Sequence, residues 1–154
     1  MKKDIGAVTE IFDNLRRVFQ AINEYSKAAE RSTGLTGPQL WALKLLSDAA
    51  PMRVSDLARK MYLRPPTVVG ILDRLEGKGL VTRTFSREDR RVVEIDLTEQ
   101  GKELIAKAPE VAQDMLMKGL DELSDEQFSS VEEGMKLMAK VLGAEHLIPQ
   151  PLHS

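Results

Sequence analysis

The sequence predicts a mainly α fold with a small β wing, an α+β winged helix-turn-helix flanked by N- and C-terminal helices. Apolar residues recur at three- and four-residue steps along most of the 154-residue chain, which is the period of amphipathic helices. In the middle, residues 80–85 and 91–97 are strand-like runs on either side of the charged tip in "TRTFSREDRRVVEIDLT", a pattern typical of a β-hairpin. The length favours one domain over residues 1–154.

The N-terminal part of the chain predicts two helices. Apolar residues from Val8 to Tyr25 form one stripe within residues 4–31, as expected for a long amphipathic helix. The stretch "STGLTG" interrupts that period. A second helix is expected to begin at "TGPQ", because Thr36 as N-cap and Gln39 three residues later can form a capping box.

Residues 36–98 predict the winged helix-turn-helix itself. Ser55 is a favourable N-cap for the short helix "DLARKMY", and "LRP" supplies the turn. A further helix is expected from Pro65, because a proline in the first helical turn loses no intrahelical hydrogen bond. Gly77 or Gly79 should end this helix.

The C-terminal part predicts helices over residues 99–143. Thr98 is a candidate N-cap, and Pro109 should kink or interrupt the helix that follows it. Ser124 with Gln127 forms a second capping-box pattern, which opens the last helix. These helices carry more apolar surface than a solvent-facing rim needs.

Composition excludes several kinds of function. The chain has no cysteine, which removes disulfides, thiolate catalysis and cysteine-based redox sensing. No apolar run approaches the ~20 residues of a membrane helix. The two N-terminal lysines are followed by acidic and polar residues, so no signal peptide is expected. The expected location is cytoplasmic, with no membrane partner.

The net charge of −2 is unevenly distributed. Residues 51–98 hold ten Lys/Arg against seven Asp/Glu, whereas residues 99–154 hold five against eleven. The middle of the chain is therefore the part expected to approach a polyanion.

The helix that begins at Pro65 is a candidate recognition helix. Its apolar positions are expected to face the preceding helix, which leaves its first residues projecting outward. In a helix-turn-helix such residues enter the DNA major groove, which is wide enough to admit a helix. The candidate DNA contacts on this helix are Pro66, Thr67, Val69, Gly70 and Arg74.

The wing tip carries the other candidate DNA contacts. Arg87, Arg90 and Arg91 lie on one protruding loop, and narrow minor grooves attract arginine. Asp89 precedes Arg91 by two residues, so a pair between them would fix the direction of that guanidinium. The alternative is a surface ion pair with no DNA role. Only the functional interpretation requires that Arg91 matter to binding more than to folding.

Three motifs, in order along the chain, resemble those of a known family. "LTGPQLWALKLL" resembles the helix that precedes the helix-turn-helix, and "GILDRLEGKGLVTR" resembles the end of a recognition helix that leads into a wing. A wing signature D-x-R-x-x-x-V-x-L-T, with isoleucine replacing valine, falls on Asp89, Arg91, Ile95, Leu97 and Thr98. Together, over about residues 5–142, they resemble the MarR family of bacterial and archaeal transcriptional regulators.

The resemblance implies a homodimer that binds double-stranded DNA at a pseudo-palindromic operator. Residues 4–31 and 99–143 would supply interlocking dimerisation helices. The recognition helix would occupy the major groove, and Arg91 would lie in the minor groove, oriented by Asp89. Many relatives carry a polar or basic side chain where this chain has Gly70, so specificity is expected to depend more on the other contacts and on DNA shape.

Several members of the family bind small aromatic or phenolic acids between the dimerisation helices and the winged helix. The residues near such a cleft are expected to include Arg16, Arg17, Tyr25, Trp41 and Met61. Core packing for Trp41, and a surface or interface position for the two arginines, are the ordinary alternatives. No metal or other cofactor is expected, because His146 and His153 are the only histidines and have no ligand spacing.

The predicted function is a dimeric, sequence-specific transcriptional regulator, a repressor relieved by a small-molecule ligand. The alternative from another class is a winged-helix protein-interaction module, which would keep the apolar spacing without needing three arginines at the tip. An enzyme is disfavoured, because the sequence contains no glycine-rich phosphate loop, nucleophile–base pair or metal motif.

Overall fold

The computed structural model describes residues 2–152, which form seven helices and three strands. In chain order these are α1 (Ile5–Thr33), α2 (Gly37–Ala49), β1 (Met52–Arg53), α3 (Val54–Met61), α4 (Pro65–Gly77), β2 (Val81–Phe85), β3 (Val93–Leu97), α5 (Glu99–Ala106), α6 (Ala112–Glu122) and α7 (Asp125–Val141). The predicted fold class is confirmed: a small sheet and a helix-turn-helix lie between N- and C-terminal helices.

Three of the seven helices begin at the caps that the sequence predicts. Thr36 and Gln39 form the capping box of α2, and Ser124 and Gln127 form that of α7. The Thr98 hydroxyl accepts a hydrogen bond from an N–H in the first turn of α5. Each of these side chains satisfies an N–H that has no partner within its helix, which is why the helices begin there.

The start of α3 differs from the prediction. The helix begins at Val54, and the N-cap position belongs to Arg53, which makes no side-chain capping bond. Ser55 therefore lies inside the first turn. The cause is a tertiary contact: Met52 of β1 pairs with Ile95 of β3, and α3 begins directly after β1.

The break between α5 and α6 agrees with the predicted effect of Pro109. Helix α5 ends at Ala106 and α6 begins at Ala112, with Pro109 in the segment between them. Proline has no N–H to donate and disfavours a helical conformation in the residue before it. The C-terminal part thus has three helices rather than two.

Helix α2 lies at the centre of the protomer. It contacts α1, α3, α4, α5, α6 and β3. Its residues Leu40, Leu43 and Leu46 are fully buried. The hydrophobic core is therefore the core of the winged helix, and α4 and the hairpin both pack against it.

The sheet is antiparallel with strand order β1-β3-β2. Val81 lies opposite Leu97 and Phe85 opposite Val93. Ile95, Leu97 and Val81 are buried, so this end of the hairpin is held by the core. The other end, which carries the arginine-rich tip, projects away from it.

A close approach of backbones holds α5 against the base of the wing. The Thr98 hydroxyl donates to the Gly79 carbonyl at 2.6 Å. Gly101, in the first turn of α5, is buried, and a Cβ at this position would collide with the Leu80 carbonyl. Only glycine fits here without displacing backbone, so the wing and α5 have a fixed relation.

Helices α1 and α7 leave large apolar surfaces exposed. Of α1, only Ser26 and Ala29 are buried, and in the described protomer α7 buries none of its residues. Exposed apolar surface of this extent is typical of a face that contacts another chain. The exposed residues include Ile11, Phe12, Val18 and Phe19 on α1 and Phe128, Val131, Met135 and Leu137 on α7. Within residues 2–152, no helix is both long and apolar enough to span a bilayer.

Candidate nucleic-acid interface

Helix α4 has one buried face and one exposed face. The inward positions Val68, Ile71, Leu72 and Leu75 are all buried. On the other face, Thr67 is half-buried, and the remaining sequence-predicted positions are exposed: Pro66, Val69, Gly70 and Arg74. Gly70 has open space around it. The helix thus presents a surface with little side-chain bulk at its N-terminal end.

The turn before α4 sets where that surface begins. Tyr62 ends α3 in a left-handed conformation, with φ 56° and ψ 35°, which is uncommon for a residue other than glycine. Arg64 is extended, and its carbonyl accepts from the Thr67 N–H at 3.1 Å. This short turn lets α4 begin directly at Pro65.

Ser86 organises the wing tip, although it is not among the site residues predicted from the sequence. Its side chain is buried, and its hydroxyl oxygen accepts hydrogen bonds from the N–H groups of Glu88 and Asp89, at 3.2 and 3.4 Å. The Ser86 N–H donates to the Val92 carbonyl at 2.8 Å. A serine two and three residues before a charged tip is a known turn signal, so this residue could have been predicted.

Asp89 and Arg91 form the predicted pair. The Arg91 Nε donates to Asp89 Oδ1 at 3.1 Å, and Nη2 donates to Oδ2 at 3.2 Å. The Arg91 backbone N–H donates to Oδ1 at 3.0 Å. These hydrogen bonds from Arg91 hold the pKa of the Asp89 carboxyl below its ordinary value.

The tip presents three guanidinium groups to solvent. The Arg91 side chain is 91% exposed despite its bonds to Asp89. Arg87 and Arg90 are exposed on the same loop. A cluster of this kind on a narrow hairpin suits an anionic groove.

Arg83 joins the wing to α4 and is not among the site residues predicted from the sequence. It lies on β2, and its guanidinium reaches Asp73 Oδ1 at 2.8 Å and Glu76 Oε1 at 3.3 Å, both on α4. Two acidic residues at i and i+3 on one helix were a weak signal of a basic partner. The strand that supplies this partner follows only from the tertiary structure.

A cavity of about 1050 Å³ lies between the helix-turn-helix and the C-terminal helices. Trp41 and Met61, two of the five predicted cleft residues, line it. The other three are not among the lining residues. Tyr25 is half-buried on α1, and the two arginines are exposed there, Arg16 bonded to Asp13 at 3.1 Å and Arg17 to Asn14 at 2.9 Å.

The cavity wall is mainly apolar with a few polar groups. The Trp41 indole Nε1 is buried and finds no acceptor among the described residues. Tyr62, at the turn before α4, lies on the same wall. The C-terminal segment forms another part, held by a hydrogen bond of 2.8 Å from Gln113 Nε2 to the Leu152 carbonyl. His153 lies outside the described residues.

A half-exposed helix beside a basic, projecting hairpin on one core defines a winged helix-turn-helix protein. The model of the MarR family matches residues 35–93, from the start of α2 to β3. The organic hydroperoxide resistance transcriptional regulator of Bacillus subtilis (strain 168) is 34% identical over 108 residues, 70% of this chain and 72% of that protein. The chain belongs to the MarR family.

Two other relatives from the same organism are regulators as well. The uncharacterized HTH-type transcriptional regulator YfiV is 38% identical over 68% of this chain, and the HTH-type transcriptional repressor MdtR is 34% identical over 66%. The matches span just under two thirds of these proteins, 66% and 65% of their lengths. The relatives are regulators rather than enzymes, as the sequence predicts for this chain.

Solved structures share the fold over nearly the whole chain. A MepR-like protein complexed with pseudoligands is 28% identical, with a TM-score of 0.58 over 92% of this chain and 99% of that one. Streptococcus pneumoniae FabT, solved in complex with DNA, has a TM-score of 0.59 over 88% and 97% of the two chains. At 22% identity, the second match concerns the fold alone.

Proposed function

We propose that this protein is a homodimeric, sequence-specific DNA-binding transcriptional regulator. The main support for the proposal is the Arg91 guanidinium, which is bonded to both carboxylate oxygens of Asp89 and is still exposed. An arginine held in this way loses little conformational freedom on entering a groove. A protein-interaction module has no evident need for such an arrangement beside Arg87 and Arg90.

The two halves of the surface suit different grooves. The exposed face of α4 has the width of a helix and would enter the major groove with Pro66, Thr67, Val69, Gly70 and Arg74. The wing would reach the adjacent minor groove with Arg91, while Arg87 and Arg90 lie near phosphates. Gly70 offers no side chain for base readout, so specificity would come largely from Thr67, the wing and DNA shape.

Dimerisation follows from the apolar faces of α1 and α7. Phe19 is 62% exposed and Met135 66% exposed in the protomer, and association would bury them. We assign the dimer interface to residues 4–31 and 99–143. A two-fold symmetric dimer reads a pseudo-palindrome whose half-sites lie ~10 bp apart. The excess of acidic residues after Thr98 would keep this part of the chain away from the DNA.

The cavity would accept an effector that relieves repression. A small aromatic or phenolic molecule with a hydrogen-bond acceptor would fill the apolar wall and satisfy the Trp41 N–H. Tyr62 would connect the effector to DNA binding, because it lines the cavity and stands at the turn into α4. A related fold holds pseudoligands, and one relative is named a repressor.

Selection of bound duplexes from a random-sequence library tests the proposal. At ~150 mM salt, nonspecific phosphate contacts are suppressed. The expected result is an enriched inverted repeat with arms about one helical turn apart. The matched variants are Arg91→Ala and Lys3→Ala, which remove the same charge from the wing and from the exposed segment before α1, and only the first should lose the enrichment.

The outcomes separate the candidate functions. A folded dimer that enriches no sequence would contradict specific DNA binding and favour the protein-interaction module. Enrichment of single half-sites would contradict the symmetric dimer. With an operator in hand, in vitro transcription from a promoter that overlaps it distinguishes the two directions of control: repression is expected, and increased transcript would identify an activator.

A further inference from the structure

We infer that Arg83 is a positioning residue that holds the recognition helix at a fixed angle to the wing and so determines sequence specificity. The inference rests on the proposed function, since it concerns how two DNA-contacting elements are held together. Arg83 lies on β2 and its side chain is only 25% exposed. Its contacts connect α4 to the strand that leads to the wing tip.

Three contacts attach Arg83 to α4. The Nη2 atom lies 2.8 Å from Asp73 Oδ1 and donates to the Val69 carbonyl at 3.3 Å. The Nη1 atom donates to Glu76 Oε1 at 3.3 Å. The three acceptors are spaced by four and three residues, which places them on one face over about two helical turns. A single guanidinium therefore fixes both the position and the rotation of the helix.

These contacts differ from the other ion pairs of the protein. In residues 2–152, every other ion pair joins residues two to four positions apart in the chain. Those pairs stabilise local structure and do not connect separate elements. The bridge from Arg83 spans ten residues to Asp73 and seven to Glu76. It is suited to setting the geometry between elements.

The three contacts with α4 require an arginine at position 83. A guanidinium has five N–H donors in a rigid plane and can serve two carboxylates and a carbonyl together, whereas a lysine ammonium acts as a compact point charge. The contact with Val69 bears most directly on DNA recognition, because Val69 is itself one of the exposed positions proposed to meet DNA. Arg83 thus holds the backbone of a reading residue without touching the DNA.

A fixed angle affects specific and nonspecific binding differently. Specific binding requires α4 and Arg91 to fit two grooves at once, and base contacts tolerate little displacement. Nonspecific binding rests on phosphate charge and tolerates it. Loss of these three contacts, which we call the Arg83 clamp, should therefore lower the ratio of specific to nonspecific affinity. Folding should stay almost intact, because partly exposed ion pairs contribute little stability.

The test compares Arg83→Gln and Arg83→Lys with the matched control Arg59→Gln, which breaks a local ion pair on α3. Affinity is measured for the selected operator and for a scrambled duplex. We expect the specificity ratio to fall at least tenfold in Arg83→Gln, to fall less in Arg83→Lys, and to be unchanged in the control. Nonspecific affinity should change by less than about twofold, because the charge of Arg83 is paired with Asp73 and Glu76 and is not proposed to contact phosphate.

A second readout needs no DNA. The chain has no cysteine, so spin labels can be placed at Gly77→Cys on α4 and Glu88→Cys on the wing, with labelled subunits diluted into unlabelled protein. The distance distribution between them should broaden in Arg83→Gln. If Arg83→Gln does not fold, the pair Asp73→Asn with Glu76→Gln removes both ion pairs from the more exposed acidic side, leaves only the Val69 contact, and should broaden the distribution as well.

Each outcome decides the matter. Distances that stay as narrow as in the parent, or a specificity ratio that is unchanged, would overturn the inference. Failure of the parent to prefer any duplex would instead refute the proposed function, and the distance measurement alone would then show whether Arg83 clamps α4.

Discussion

Asp89 accepts three hydrogen bonds from Arg91, one from its backbone N–H and two from its guanidinium, although the residues lie only two positions apart. The side chain of Arg91 remains 91% exposed. An ion pair at such exposure adds little stability. Its effect is on direction, since it holds a flexible cation in one orientation at the end of the wing.

Replacement of Arg91 should separate binding from folding. We expect Arg91→Ala to leave the thermal midpoint nearly unchanged and to weaken operator binding at least tenfold, about 1.4 kcal/mol. The reason is that its guanidinium touches only Asp89 within the tip. Fluorescence anisotropy with labelled operator and thermal unfolding measure the two effects. Equal affinity in mutant and parent would remove the wing arginine from the mechanism.

The pKa of Asp89 offers a test of the pair without DNA. Because Arg91 lowers that pKa in the folded state, the pair contributes stability above the unfolded-state value, about 3.9. The contribution is lost as the pH falls through the lower folded-state pKa. In an NMR titration, the Asp89 midpoint should rise in Arg91→Ala and stay the same in Arg16→Ala. An equal midpoint in parent and Arg91→Ala would show that the pair does not persist in solution.

Gly101 and Gly70 should respond oppositely to alanine. Gly101→Ala places a Cβ against the Leu80 carbonyl and should destabilise the fold by about 1–3 kcal/mol. Gly70→Ala enters open space on α4 and should stabilise it by about 0.5–1 kcal/mol, since glycine is unfavourable inside a helix. Denaturant unfolding of the free protein measures both. A neutral Gly101→Ala would argue against the tight contact between α5 and the wing.

A charge on the apolar face of α1 should disrupt the dimer. The protein is expected to sediment as a dimer at micromolar concentration. Phe19→Asp should shift it toward monomer without unfolding it, because Phe19 is 62% exposed in the protomer. Gln20→Glu adds the same charge on the polar side of α1, away from the apolar stripe, and serves as the control. A parent that sediments as a clean monomer would refute the interface assigned to the terminal helices.

Trp41 reports on the cavity, because it is the only tryptophan in the chain. Titration with a panel of benzoates and phenols should change its fluorescence, and the ligands that bind should release the protein from its operator. The change should be reduced by enlarging a side chain on the wall, as in Leu116→Phe, which leaves Trp41 as the only tryptophan. Operator release without any response of the cavity residues would place the effector elsewhere.

The helix boundaries show how far local sequence reaches. The starts of α2, α5 and α7 at Thr36, Thr98 and Ser124, and the break around Pro109, follow from hydrogen bonds and sterics within one helical turn. The start of α3 does not. It depends on the pairing of Met52 with Ile95, a contact between distant parts of the chain that no local pattern contains.

The candidate DNA surface divides in the same way. Local sequence predicts the exposed face of α4, the arginine tip and the pairing of Asp89 with Arg91, because each depends on helical period or on residues two positions apart. The packing of separate elements brings Arg83 to Val69, Asp73 and Glu76. It also places Trp41 and Met61, but not Arg16, Arg17 or Tyr25, along the cavity. Those relations depend on how whole helices and strands are placed against one another by the packing of a shared core, and that placement is a property of the entire chain.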